Sequence, residues 1–106
     1  MFECPEIDPV RAKQIHDEKK ALFVDIRDPH SYEEAHIPGA LPLREDNLKE
    51  FLAQTPKEQT VIVCCYHGIS SQGATAFLLD QGFQEVYSLE GGFEEWRARY
   101  PESNER

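Results

Sequence analysis

Residues 60–73, TVIVCCYHGISSQG, hold the grouping in this chain best suited to nucleophilic chemistry. A β-branched run, Val61, Ile62 and Val63, stops at Cys65, a turn of small and polar residues follows, and a helical pattern begins at the serine pair Ser70 and Ser71. A parallel strand of this kind delivers its last side chain to the carboxyl edge of a sheet, where open α/β folds bind their ligands. The helix starting at Ser70 or Ser71 has first-turn N–H groups without intrahelical partners. These and the loop N–H groups are expected to converge on the sulfur of Cys65. Such a ring of donors stabilises a thiolate, which is the nucleophilic form, and any sulfur anion attached to it. The competing reading is a buried structural cysteine followed by an ordinary βα turn; the composition of the loop favours the first. Gly68 allows a torsion that other residues resist, and Ser70 or Ser71 is expected to cap the helix while offering a hydroxyl to a bound anion. Cys64, one place earlier in the strand, points to the other face and reads as a packed core thiol.

Other chemistries find little support. There is no GxxxxGK[ST] and no GxGxxG after a strand, so nucleotide phosphate binding has no basis. The four histidines, His16, His30, His36 and His67, are scattered without ligand spacing, so no metal is expected. A net charge of -9 argues against nucleic acid and anionic membranes, which select for clustered Lys and Arg. Any anion site must therefore be built locally from amides. Three cysteines, Cys4, Cys64 and Cys65, are an odd number without CxxC spacing, which points to a reducing compartment. The acidic start MFECPEIDP lacks a basic and an apolar segment, and no run reaches membrane length; the expected location is cytoplasmic and the default state a monomer.

The elements that must hold the loop can be read on either side of it. A chain of 106 residues supports one domain, spanning residues 1–106 with 101–106 as a frayed polar tail. Residues 2–4 are expected to form a short edge strand limited by Pro5. Asp8 and Pro9 start a helix in which Val10 and Ile15 serve the buried face and His16 lies at the surface or near a cap. Residues 21–25, ALFVD, form a buried parallel strand that Ile26 finishes. Asp25, Arg27 and Asp28 at its carboxyl end are read as an ion pair pinning the loop, with a catalytic role as the alternative. Residues 30–35 form a short helix. His36, with no acidic partner in register, is read as a hydrogen-bonding anchor in preference to a general base. Leu41 and Leu43 make a brief strand or core-facing stretch, and residues 45–53, with Leu48, Phe51 and Leu52, an amphipathic helix that Thr55 and Pro56 end. Residues 71–81 present Ala74, Phe77 and Leu78 as one apolar stripe, and Gly82 suits the place past the helix end. Residues 86–89 are the last strand, Gly91 and Gly92 a turn, and Phe93, Trp96 and Tyr100 the core aromatics of a closing helix. This alternation predicts an α/β fold, with a mainly parallel central sheet covered by helices on both faces.

Taken in order, Asp25-Ile26-Arg27-Asp28, then Tyr32, then Ala35-His36-Ile37-Pro38-Gly39-Ala40, then Cys65-Tyr66-His67-Gly68-Ile69-Ser70, then Glu90-Gly91-Gly92-Phe93 with Trp96 resemble the successive motifs of a rhodanese domain. The resemblance covers almost the whole chain, with one departure at Ala35, where the family usually has glycine. It implies a rhodanese-like fold and thiosulfate sulfurtransferase activity. Cys65 is then the catalytic residue: its thiolate attacks the outer sulfur of thiosulfate, sulfite leaves, and the persulfide passes its sulfur to cyanide or to a dithiol or thioredoxin-like protein. Tyr66, His67, Gly68, Ile69, Ser70 and Ser71 become the substrate-binding residues, their N–H groups holding the anion without a metal or an organic cofactor. His67 invites a general-base role, but transfer by a preformed thiolate requires no proton abstraction, so shaping the rim or binding the leaving anion is preferred. A cysteine phosphatase or arsenate reductase would need CxxxxxR; Ser71 stands where that arginine belongs. A non-catalytic interaction module of the same family often loses the cysteine, and Cys65 argues against it.

Overall fold

The computed structural model describes residues 5–106. In chain order the elements are β1 Glu6–Ile7, α1 Pro9–Asp17, β2 Leu22–Asp25, α2 Pro29–Glu34, β3 Leu41–Pro42, α3 Glu45–Gln54, β4 Val61–Cys64, α4 Ser70–Asp80, β5 Val86–Leu89 and α5 Gly92–Arg99. The strands form one sheet in the order β1-β5-β4-β2-β3, and every pairing between them is parallel. All four residues of β4 are buried, as a strand covered on both faces requires. Side chains alternate along it. Ile62 and Cys64 enter one core with Ala12 of α1 and Phe93 and Trp96 of α5, while Val61 and Val63 enter a second with Phe51 of α3 and Leu78 of α4. The sheet is thus sandwiched by α1 and α5 on one side and by α3 and α4 on the other.

Local signals set several boundaries as expected. The Asp8 side chain accepts from the Arg11 N–H with Pro9 in the first turn, and Asp28 does the same for Ser31 with Pro29. Gly82 follows α4 with φ +103. Where tertiary packing decides, the expectations shift. The strand expected at residues 2–4 lies outside the described residues, and the described edge strand is Glu6–Ile7. Val10 is exposed, and Pro9 and Ala12 are the buried residues of α1. His16 lies in the last turn of α1, near its C-cap as expected, but is only partly exposed: its ring meets Phe23 and Trp96 edge-on at 5.2 and 5.6 Å, and Nε2 lies 2.8 Å from the Pro38 carbonyl oxygen. On α4 the buried residues are Ser71, Thr75 and Leu78, while Phe77 is exposed. The helix is rotated because Ser71 must face Cys65, and Thr75 is accommodated inside by donating its hydroxyl to the Ser71 carbonyl at 2.7 Å.

The tail is held, not frayed. Glu105 and His36 exchange backbone hydrogen bonds of 2.8 and 2.9 Å, and the Trp96 indole N–H donates to the Ser103 carbonyl at 2.8 Å. The reason is that the buried indole needs an acceptor and no strand or helix group supplies one. His36 is the expected anchor, stacked on Tyr32 at 3.8 Å with Nδ1–H on the Tyr32 carbonyl at 2.6 Å. Its acidic partner is Glu105, 3.4 Å from Nε2. A chain ending at Tyr100 is expected to fold with about 2–4 kcal/mol less stability, since the paired backbone bonds between His36 and Glu105 are lost and the buried indole N–H is left without its acceptor. Urea unfolding checks this, and an unchanged midpoint would mean the strap contributes nothing.

Candidate active site

Cys64 pairs with Asp25 at the carboxyl ends of β4 and β2, so Cys65 and Ile26 leave the same edge side by side. From there the chain runs by α4 toward β5 on one side and by α2 toward β3 on the other. Neighbouring strands whose connections diverge open a crevice, the place where doubly wound sheets bind ligands.

The Cys65 sulfur lies 3.1 Å from the Gly68 N–H nitrogen, 3.3 Å from that of Ser71 and 3.2 Å from the Ser71 hydroxyl. Burial pushes this thiol up, but the Ser71 hydroxyl and the N–H groups of Ser71, Gly68 and His67 outweigh it and hold the thiol below its ordinary 9.0. Cys64, also free and wholly buried, is pushed well above 9.0 by desolvation. It is the packed thiol expected.

The first two peptides of the loop are held by α5. Its first-turn N–H groups have no helical acceptor. The Phe93 N–H donates to the Cys65 carbonyl at 2.8 Å and the Glu94 N–H to the Tyr66 carbonyl at 3.1 Å. These two peptides carry the N–H groups of Tyr66 and His67, so α5 turns the His67 N–H toward the sulfur, while those of Gly68 and Ser71 are set by the turn at Gly68 and by the start of α4. This close approach needs glycine twice. A Cβ on Gly92, at φ +60, would stand 2.5 Å from the Tyr66 carbonyl, and one on Gly68, at φ +87, 2.8 Å from the Gly91 nitrogen.

Of the six expected binding residues, Gly68 and Ser71 touch the sulfur directly, and the His67 N–H contributes to its anion. The side chains of Tyr66, His67, Ile69 and Ser70 are exposed on the rim. The Tyr66 hydroxyl reaches Asp28 and lies 3.1 Å from the Ser31 hydroxyl, tying the loop to α2. Neither serine caps α4. Ile69 holds the cap position with no side-chain bond, and the sulfur of Cys65 takes the Ser71 N–H instead. The expected ion pair is confined to Asp25 and Arg27, 2.8 Å apart and buried; Asp28 serves α2 as its cap. Arg27 also donates to the Ala35 carbonyl at 2.7 Å and lies 4.3 Å over the Phe93 ring. Ala35 itself has φ -170, extended backbone open to any residue, so no glycine is needed there. Spacing did not indicate Ser88, whose hydroxyl is 2.6 Å from that of Ser71. A lone serine in the apolar run VYSL was its only trace. Among the described residues no group of three or more His, Cys, Asp or Glu is placed to hold a metal, and no helix is long and apolar enough to cross a membrane.

A parallel α/β sandwich with a thiol at the hub of a βα loop defines a class, and the chain belongs to the family described as the rhodanese-like domain, matched over residues 8–99. It is similar to the thiosulfate sulfurtransferase GlpE of Pseudoalteromonas translucida, 45% identical over 93 residues that make up 88% of this chain and 89% of the relative. To the protein of that name from Stutzerimonas stutzeri it is 54% identical over 81 residues, 76% of this chain and 74% of the relative. The rhodanese-like domain of an Anabaena protein, solved by NMR, superposes with a TM-score of 0.83 at 25% identity, covering 98% of this chain and 80% of that one.

Alkylation followed by peptide mapping should show the reactivity of Cys65 rising with pH and reaching half its plateau below 9.0, with Cys64 unmodified throughout. Equal labelling of both cysteines would contradict the contrast between them.

Proposed function

We propose that the chain is a thiosulfate sulfurtransferase in which Cys65 carries the transferred sulfur. The observation that supports this best is the convergence of two amide N–H groups and the Ser71 hydroxyl oxygen on one buried sulfur with no cationic side chain among them. The Cys65 thiolate attacks the outer sulfur of thiosulfate; a new S–S bond forms, the old one breaks, and sulfite departs with its electron pair. The negative charge now rests on the terminal sulfur of a persulfide, within reach of the loop hydrogens. In the second displacement a thiophile takes that sulfur and the thiolate is restored. No proton moves in either step, so His67 is not required as a base. Two separate displacements predict ping-pong kinetics.

The acceptor is read as a small thiophile such as cyanide or a dithiol protein of the thioredoxin-like kind. Tyr66, His67, Ile69 and Ser70 line the exposed rim that such an acceptor meets. The reading takes residues 1–106 as a single domain acting as a monomer in the cytoplasm, a setting supported by a chemistry that needs reduced thiols. Phosphoryl transfer is disfavoured because Ser71 stands where a phosphate-binding arginine belongs, and Arg27 is already neutralised by Asp25.

Cys65→Ser should lower sulfur transfer by at least about a thousandfold, while Cys64→Ser keeps most of it. Equal loss in both folded variants would overturn the assignment. Intact-mass measurement after thiosulfate treatment should find one added sulfur, mapped to Cys65, and no hydrolysis of a phosphate ester in parallel. An unmodified Cys65 would favour the interaction-module reading.

A further inference from the structure

Behind the loop, in the middle of β5, Ser88 is wholly buried, and so is Ser71. Their hydroxyl oxygens are 2.6 Å apart, and the Ser71 oxygen is 3.2 Å from the Cys65 sulfur. Among the described residues Ser71 is the only hydrogen-bond partner of the Ser88 hydroxyl. Three polar atoms in a row must share their hydrogens, and the sharing depends on the state of the sulfur. With a thiolate, Ser71 donates to the sulfur and Ser88 donates to Ser71, so each hydroxyl hydrogen has an acceptor. With a thiol donating to Ser71, the Ser71 hydrogen turns to Ser88 and the Ser88 hydrogen has no acceptor among the described residues. A buried donor left without an acceptor is disfavoured.

We propose that Ser88 is a positioning residue for sulfur transfer: its hydroxyl donates to Ser71 and so keeps the Ser71 hydrogen on the Cys65 sulfur. The assignment rests on reading Cys65 as the sulfur carrier. The chain of hydroxyls acts on both displacements, because the thiolate is the attacking group in the first and the leaving group in the second. No proton is transferred and nothing is oxidised. The hydrogens only keep their orientation.

The test is the pH profile of Cys65 alkylation by iodoacetamide, followed by peptide mapping, in Ser88→Ala, Ser71→Ala and the double variant. Ser88→Ala should move the midpoint upward by about half a pH unit, the effect of losing part of one hydrogen bond. Ser71→Ala should move it further, and adding Ser88→Ala to Ser71→Ala should change nothing more. Ser88→Thr, which keeps the hydroxyl, should stay nearer the wild type than Ser88→Ala. Turnover of thiosulfate by Ser88→Ala should fall below the midpoint and approach the wild-type value well above it. An unmoved midpoint in folded Ser88→Ala overturns the proposal, as does an equal shift with Ser71 already removed, which would mean Ser88 acts on packing alone. Alkylation uses no thiosulfate, so failure of the sulfur-carrier reading appears separately, in the mass of the thiosulfate-treated protein.

Discussion

Two peptide carbonyls, those of Cys65 and Tyr66, are held by the first N–H groups of α5, and the loop around the sulfur is anchored through them. A peptide unit is planar with its N–H and C=O opposed, so fixing the Tyr66 carbonyl aims the His67 N–H, and the turn that follows brings the Gly68 N–H to the sulfur. The loop after β4 thus lies between two helix starts. One of them, α5, takes its carbonyls; the other, α4, adds its own N–H at Ser71 to those aimed at the sulfur. Both helix ends have free donors for the same reason, and the loop satisfies each with a different atom. Gly92 and Gly68 follow from the closeness of this packing, since a side chain at either would displace the backbone it touches.

The same constraint explains how an acidic chain can hold an anion. At a net charge of -9 the whole protein repels thiosulfate. Over about 8–10 Å salt screens that repulsion, whereas donors about 3 Å from the sulfur act inside the screening distance. The nearby guanidinium of Arg27 is not free to help, because Asp25 neutralises it. Its contribution is mechanical: it joins the end of β2 to the Ala35 carbonyl and the Phe93 ring, and so braces the helix that aims the loop. Such a buried pair is costly to break from one side, by about 3–5 kcal/mol, which is why it suits bracing better than chemistry.

Cys64 and Cys65 show how little separates an inert thiol from a reactive one. They are adjacent, and both are almost fully buried. Alternation along the strand turns Cys64 into the apolar layer with Phe93 and Trp96, where burial holds its proton on, and leaves Cys65 past the strand's end among donors. Lack of exposure alone would have classed both as structural.

The sequence by itself determined what depends on near neighbours. The apolar run before Cys65, the Asp-Pro starts of α1 and α2, the glycine after α4 and the alternation of strands with helices were all legible, because periodicity and capping act within a turn or a strand. So was the candidate nucleophile, since the nest around it comes largely from its own loop. Only the tertiary structure decided what required distant segments to meet. The rotation of α4 toward Ser71, the packing of His16 against Phe23 and Trp96, the pairing of His36 with Glu105 and the Ser71–Ser88 contact each join parts of the chain far apart in sequence. The physical reason is that a hydrogen bond or a packed face specifies its partner by geometry, and a buried polar group takes whichever partner the fold brings within reach.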